Sequence, residues 1–162
     1  MDHRQFLKGI DIFSPLTEQE LNSFAAVVRE ESFPEGAVVF AENSPGSNMY
    51  VVREGAIDIG KREETRGEIL KVARLGPGEV LGELSIFDEK PRSAGALAAG
   101  SGNTLLLSIG KADLDRLMSQ NPALAIKFLR TILQKVISRL RQADDLLLIL
   151  AKMNVILDRV RR

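Results

Sequence analysis

A carboxylate and a guanidinium nine positions apart bracket the stretch of this sequence with the most chemistry in it: Gly82-Glu83-Leu84-Ser85-Ile86-Phe87-Asp88-Glu89-Lys90-Pro91-Arg92-Ser93-Ala94. Glu83, beside a glycine at the start of a short apolar turn, can accept hydrogen bonds from a sugar hydroxyl. Arg92 can fork onto phosphate oxygens, because its planar guanidinium presents paired donors. Backbone N–H groups at the start of the Leu84-Ser85-Ile86 turn can add an anion nest. Ser93 and Ala94 are small enough for a ligand to approach the chain closely, and Gly82 allows the same on the other side. Together these residues can hold a sugar phosphate. The plainer reading is a solvated turn in which Glu83 and Arg92 form a surface ion pair.

Flanking segments must position this stretch. Thr17-Glu18-Gln19-Glu20 is a capping box opening a helix with apolar positions Leu21, Phe24, Ala25 and Val28, ended by Phe33-Pro34-Glu35-Gly36. From Ala37 to Ser108 the pattern changes to short apolar runs broken by turn residues. The expected strands are 38–41, 49–53, 56–61, 69–75, 94–98 and 104–109, with turns at Asn43-Ser44-Pro45-Gly46, Arg53-Glu54-Gly55 and Gly76-Pro77-Gly78. Many short strands with frequent turns predict a sandwich or roll.

Helical periodicity returns after Gly110, first over 112–119. Asn121-Pro122 then supplies an N-cap and a first-turn proline, and neither glycine nor proline interrupts the chain from there to Arg162. A helix of roughly 40 residues would be about 60 Å long and needs a partner. Leu129, Leu133, Val136, Leu140, Ala143, Leu147, Leu150, Asn154 and Leu157 form a heptad seam. It predicts a parallel homodimer whose register Asn154 would fix. A second stripe, Leu146, Ile149, Met153, Ile156 and Val160, can face the strands. Asp144 and Asp145 lie beside the seam. They read either as a solvated face or, for Asp144, as a reader of a purine's exocyclic amine. Arg159, Arg161 and Arg162 suit a cationic helix C-terminus.

The stretch 82–94 closely resembles the phosphate-binding cassette of cyclic nucleotide-binding domains, with Ile86 in place of the usual leucine. Phe6-Leu7-Lys8-Gly9-Ile10, Phe13-Ser14-Pro15-Leu16-Thr17, Gly36-Ala37-Val38-Val39-Phe40 and Met49-Tyr50-Val51-Val52-Arg53-Glu54-Gly55 resemble that family's helical entry and early strands. The resemblance implies an α+β fold: an eight-stranded jelly-roll-like β-roll with N-terminal helices and a long C-terminal helix. It implies one domain over 1–162, with a helical entry at 1–36, the roll at 37–110, and C-terminal helices at 111–162, the last serving as lid and dimer helix. It assigns Gly82, Glu83, Leu84, Ser85, Arg92, Ser93 and Ala94 to the ribose phosphate. It places Ile59, Val72 and Leu75 beside the base, roles that core packing also explains. The expected ligand is cAMP before cGMP, because cAMP is the usual ligand of the bacterial sensors that the entry and cassette resemble.

Composition narrows the alternatives. Lys plus Arg and Asp plus Glu are both 22, so the chain carries no overall field for nucleic acid. With one histidine and no cysteine, a metal-dependent enzyme on a β-roll lacks its ligands. No catalytic triad or Walker loop is present, so neither catalysis nor a cofactor is expected, and His3 is given no role. The absence of cysteine suits a reducing compartment, the N-terminus has no secretory apolar core, and no apolar run spans a bilayer. A cytoplasmic location is therefore expected. The function classes left are a cyclic nucleotide sensor, a regulatory part of a larger transcription factor, kinase or channel, and a relative that keeps the fold only for protein contacts.

Overall fold

A computed structural model describes residues 3–63 and 69–160, excluding the side chains of residue 155 and residues 157–160. The expectations placed on Leu157, Arg159, Val160, Arg161 and Arg162 therefore lie outside the described side chains. The chain opens with α1 (His3–Lys8), a 3-10 turn (Asp11–Phe13) and α2 (Glu18–Ala25). The Thr17 hydroxyl accepts from the Glu20 N–H, and the Glu20 carboxylate accepts from the Thr17 N–H at 2.7 Å, so the capping box is formed. His3 lies within α1, with Nε2 3.9 Å from Glu30 Oε2.

Two four-stranded antiparallel sheets follow. One orders its strands as β1 (Arg29–Phe33), β8 (Thr104–Gly110), β3 (Asn48–Glu54) and β6 (Val80–Leu81). The other contains β2 (Val38–Phe40), β7 (Gly95–Ala99), β4 (Ala56–Arg62) and β5 (Ile69–Leu75). This is a β-roll flanked by helices, an α+β fold. Inside its exposed edge strand β1, the first sheet is buried on both faces. In β3, Met49 and Val51 join the helical core, while Tyr50 and Val52 pack between the sheets. In β6, Val80 and Leu81 divide in the same way, as the period-two alternation of a strand requires.

Two strands depart from expectation. Residues 29–33, expected at the end of a helix, form β1, because α2 stops at Ala25. The strand is charged and largely exposed, as suits the edge of a sheet, and so lacks an alternating apolar signal. β6 has only 2 residues, too few to show a period.

α3 (Leu84–Phe87) is one turn, α4 (Lys111–Gln120) returns the chain, and α5 (Pro122–Val160) runs for 39 residues. The first third of α5 is firmly seated. Phe128 lies 5.8 Å from Phe13 and 5.0 Å from Phe24 between ring centroids, and Thr131 Oγ1 donates to the Ile12 carbonyl at 2.8 Å. Lys127 Nζ donates to both oxygens of the buried Glu20 carboxylate, at 3.0 and 2.8 Å. Among the described residues, no helix is long and apolar enough to cross a membrane, and no three His, Cys, Asp or Glu side chains converge as a metal site.

Candidate nucleotide site

The site begins where β6 ends. Gly82 has φ +74°, and a Cβ there would collide with Arg92 Nη1, so both the turn and the packing call for glycine. That turn places Glu83 at the head of α3, where it is only 4% exposed. Pro91 leads into Arg92, also 4% exposed, just before β7. Both charged groups thus sit on the wall of a cavity of about 510 Å³.

Glu83 and Arg92 do not pair with one another. Arg92 Nη1 donates to the Gly82 carbonyl at 2.7 Å and Nη2 donates to the Asn48 carbonyl at 2.6 Å. Its Cζ stands 4.2 Å from the centroid of the Phe40 ring, a cation–π contact. Its Nε is buried without a partner. Burial pushes the guanidinium pKa down, against the raising fields of Tyr50 and Glu83, yet an arginine remains protonated at physiological pH. Arg92 is thus a buried cation held by carbonyl dipoles, with no carboxylate bonded to it among the described residues. Glu83 instead receives Arg139 Nη1 from α5, while Arg139 Nη2 donates to the Val80 carbonyl at 2.5 Å. The long helix is thereby tied to the carboxylate of the cavity.

The structure brings Gly82, Glu83, Leu84, Ser85, Arg92, Ser93 and Ala94 together on this cavity, and Ile59 and Leu75 line it from the second sheet. Val72 does not line it and is 58% exposed. Ile59 pairs with Ala73 and Gly60 with Lys71, so Val72 is the extra residue of a β-bulge, with the parity opposite to Ala73 and Leu75. Asp144 is also exposed and outside the lining, because nine residues beyond Lys135 it lies on the opposite face of α5.

The stripe expected to cover the strands fails because α5 has left the body of the protein by Leu146. Leu146, Ile149, Met153 and Ile156 are 52 to 59% exposed. Lys135, Arg139, Gln142, Leu146, Ile149 and Met153 recur at spacings of four and three and share one face, but only its first half reaches the cavity. Its cavity-lining part is the polar one, Lys135, Ser138, Arg139 and Gln142. Sequence reasoning missed these four and Phe40. A polar i, i+3, i+4, i+7 set between apolar positions was the available signal, because a charged ligand needs donors and acceptors rather than methyl groups.

Comparison with known proteins matches this arrangement. The profile of the cyclic nucleotide-binding domain family matches residues 30–121. The cyclic AMP receptor protein of Thermus thermophilus is 30% identical over 138 residues, covering 85% of this chain and 61% of the relative. The chain thus spans about three fifths of that curated relative's length. The N-terminal domain of a transcriptional regulator from Streptomyces coelicolor superposes with a TM-score of 0.71 at 31% identity, covering 86% of this chain and 95% of that one. The regulatory domain of Toxoplasma gondii PKA, crystallised with cAMP, superposes with a TM-score of 0.71 at 26% identity, covering 85% and 49%. With the family profile matched over more than half its length, the chain belongs to the cyclic nucleotide-binding domain family.

Proposed function

We propose that this protein is a cyclic nucleotide sensor that acts by binding rather than by catalysis, with cAMP preferred over cGMP, and that it reports occupancy through α5. One observation carries the reading: the buried carboxylate facing the cavity, Glu83, is bonded to Arg139 of the long helix. A ribose hydroxyl that donates to Glu83 enters the bonding sphere of Arg139. Occupancy and helix position then share a group, and the ligand shifts the helix by whatever difference in affinity it has for the two arrangements. Arg92, with no carboxylate bonded to it among the described residues, is suited to take the phosphate. The preference for cAMP draws support from the Thermus relative, a cyclic AMP receptor protein, and from the Toxoplasma regulatory domain crystallised with cAMP. In this reading the protein is cytoplasmic and pairs with a second copy through α5.

Calorimetry of nucleotide-free protein with cAMP and with cGMP is the test. The expected result is binding of both, with cAMP tighter. Tenfold tighter cGMP would refute the base preference. No binding of either would leave a domain that keeps the fold for protein contacts. Hydrogen exchange over residues 135–142, with and without ligand, checks the helix: protection unchanged at saturation would refute the coupling.

A further inference from the structure

The turn between β2 and β3 also presses against Arg92. A Cβ on Gly46 would stand 2.5 Å from Ser85 Cβ and 2.9 Å from both Cζ and Nε of Arg92. Real side-chain atoms do not approach so closely, so something would have to move. The turn cannot yield easily. The Asn43 N–H donates to the Arg92 carbonyl at 2.9 Å, the Arg92 N–H donates to the Ser44 carbonyl at 2.9 Å, and the Lys111 N–H donates to the Ser47 carbonyl at 2.7 Å. Asn43 is already in the left-handed region at φ 63°, and Ser44 Oγ donates to the Ala41 carbonyl at 2.6 Å. Ser85 cannot yield either, since its Cβ is fixed to the backbone of α3 and it is buried. The mobile member of the contact is the guanidinium, which would slide off the Gly82 and Asn48 carbonyls and off the Phe40 ring.

Resting on the functional reading above, we propose that Gly46 is a positioning residue for anion binding: its missing side chain lets the 43–47 turn lie flat against the guanidinium and fixes where Arg92 presents its remaining N–H groups to a phosphate. Gly46 touches no ligand in this arrangement; it acts through Arg92. The buried Nε without a bonding partner is the mark of this packing, because the turn shields that N–H from solvent without offering it an acceptor.

The shielded Nε–H supplies a readout that needs no nucleotide. In 15N-labelled protein it should give a slowly exchanging side-chain NMR signal, assigned by its loss in Arg92→Lys. In Gly46→Ala that signal should shift or broaden into exchange, and the affinity for cAMP should fall at least tenfold while the thermal transition remains cooperative. A second pair of variants guards against misfolding. With Ser85→Gly as background, the closest clash is gone and the guanidinium is the remaining close neighbour, so adding Gly46→Ala should still move the signal and weaken binding relative to Ser85→Gly alone. An unmoved Nε–H signal in both alanine variants overturns the proposal, as does a moved signal with unchanged cAMP affinity. Wild-type protein that binds no cyclic nucleotide would sink the functional reading instead, and the Nε–H comparison would still decide whether Gly46 positions the guanidinium.

Discussion

Arg92 carries its charge to a place that water barely reaches, with two carbonyl dipoles and one aromatic face around it. An anion arriving there gains charge-assisted hydrogen bonds without breaking an ion pair. Arg92→Ala should weaken cAMP binding by about 3 kcal/mol, the upper range for a hydrogen bond to a charged group, and calorimetry reads it directly. Arg92→Lys should recover only part of the loss, since one ammonium cannot reach both carbonyls and a phosphate as a planar fork does. Equal affinity in wild type and Arg92→Ala would remove the basis for the phosphate assignment. Glu83 plays a different part, because its partner Arg139 belongs to the helix. Glu83→Gln should erase most of the preference for cAMP over its 2′-deoxy analogue, and competition binding measures that ratio. A wild type that does not distinguish the two ligands would contradict the ribose role.

At the scale of elements, the seat of α5 decides whether the helix can hold Arg139 over the cavity. Phe13, Phe24 and Phe128 form a closed cluster of rings, all fully buried. Phe128→Ala should cost about 3–5 kcal/mol, the usual range for emptying such a site, read as a lower urea midpoint. The clasp between Glu20 and Lys127 adds a pH dependence. The Lys127 hydrogen bonds hold the Glu20 carboxyl below the ordinary glutamate range, with help from the Thr17 N–H, while burial opposes them. A carboxyl depressed in the folded state stabilises above its unfolded value of about 4.3, and that stability is lost as the pH falls through the lower folded value. Thermal midpoints of wild type and Glu20→Gln should therefore differ by a few degrees near neutrality and converge once the pH has fallen through the lowered folded value. Parallel midpoint curves across that window would show that the clasp contributes nothing.

At the scale of the molecule, one face of α5 has no neighbour among the described residues. Leu133, Leu140 and Leu147 are about 60% exposed, and Leu150 is 48% exposed. Such a row on an isolated helix is a large apolar patch of the kind that marks an interaction surface, and its heptad spacing fits a second copy of the same helix. Leu140→Lys with Leu147→Lys should give monomers by light scattering. Asn154→Leu should keep association but loosen its register, because the paired amides that favour an aligned parallel pair would be gone. A monomer mass for wild type at tens of micromolar, with and without cAMP, would refute the dimer.

Several features of this protein were written in its sequence because they are local. Gly82 and Glu83 announce a turn and a carboxylate, Thr17 to Glu20 form a capping box, and the runs at 49–53 and 104–109 alternate between two cores as strands must. The family resemblance rested on such local spacings, and so did the collection of Gly82, Glu83, Ser85, Arg92, Ser93 and Ala94 around one cavity. What the sequence could not reveal depends on where elements end and cross. The height at which α5 leaves the body decides that Arg139 and Gln142 line the cavity while Leu146 and Met153, further along the same helix face, meet solvent. One extra residue in β5, at Val72, shifts its pairing so that Lys71 rather than Val72 stands opposite Gly60. The partner of Glu83 comes from 56 residues along the chain and not from Arg92 nearby. Periodicity fixes the face a side chain occupies; only the packing of helix on roll fixes what stands opposite it.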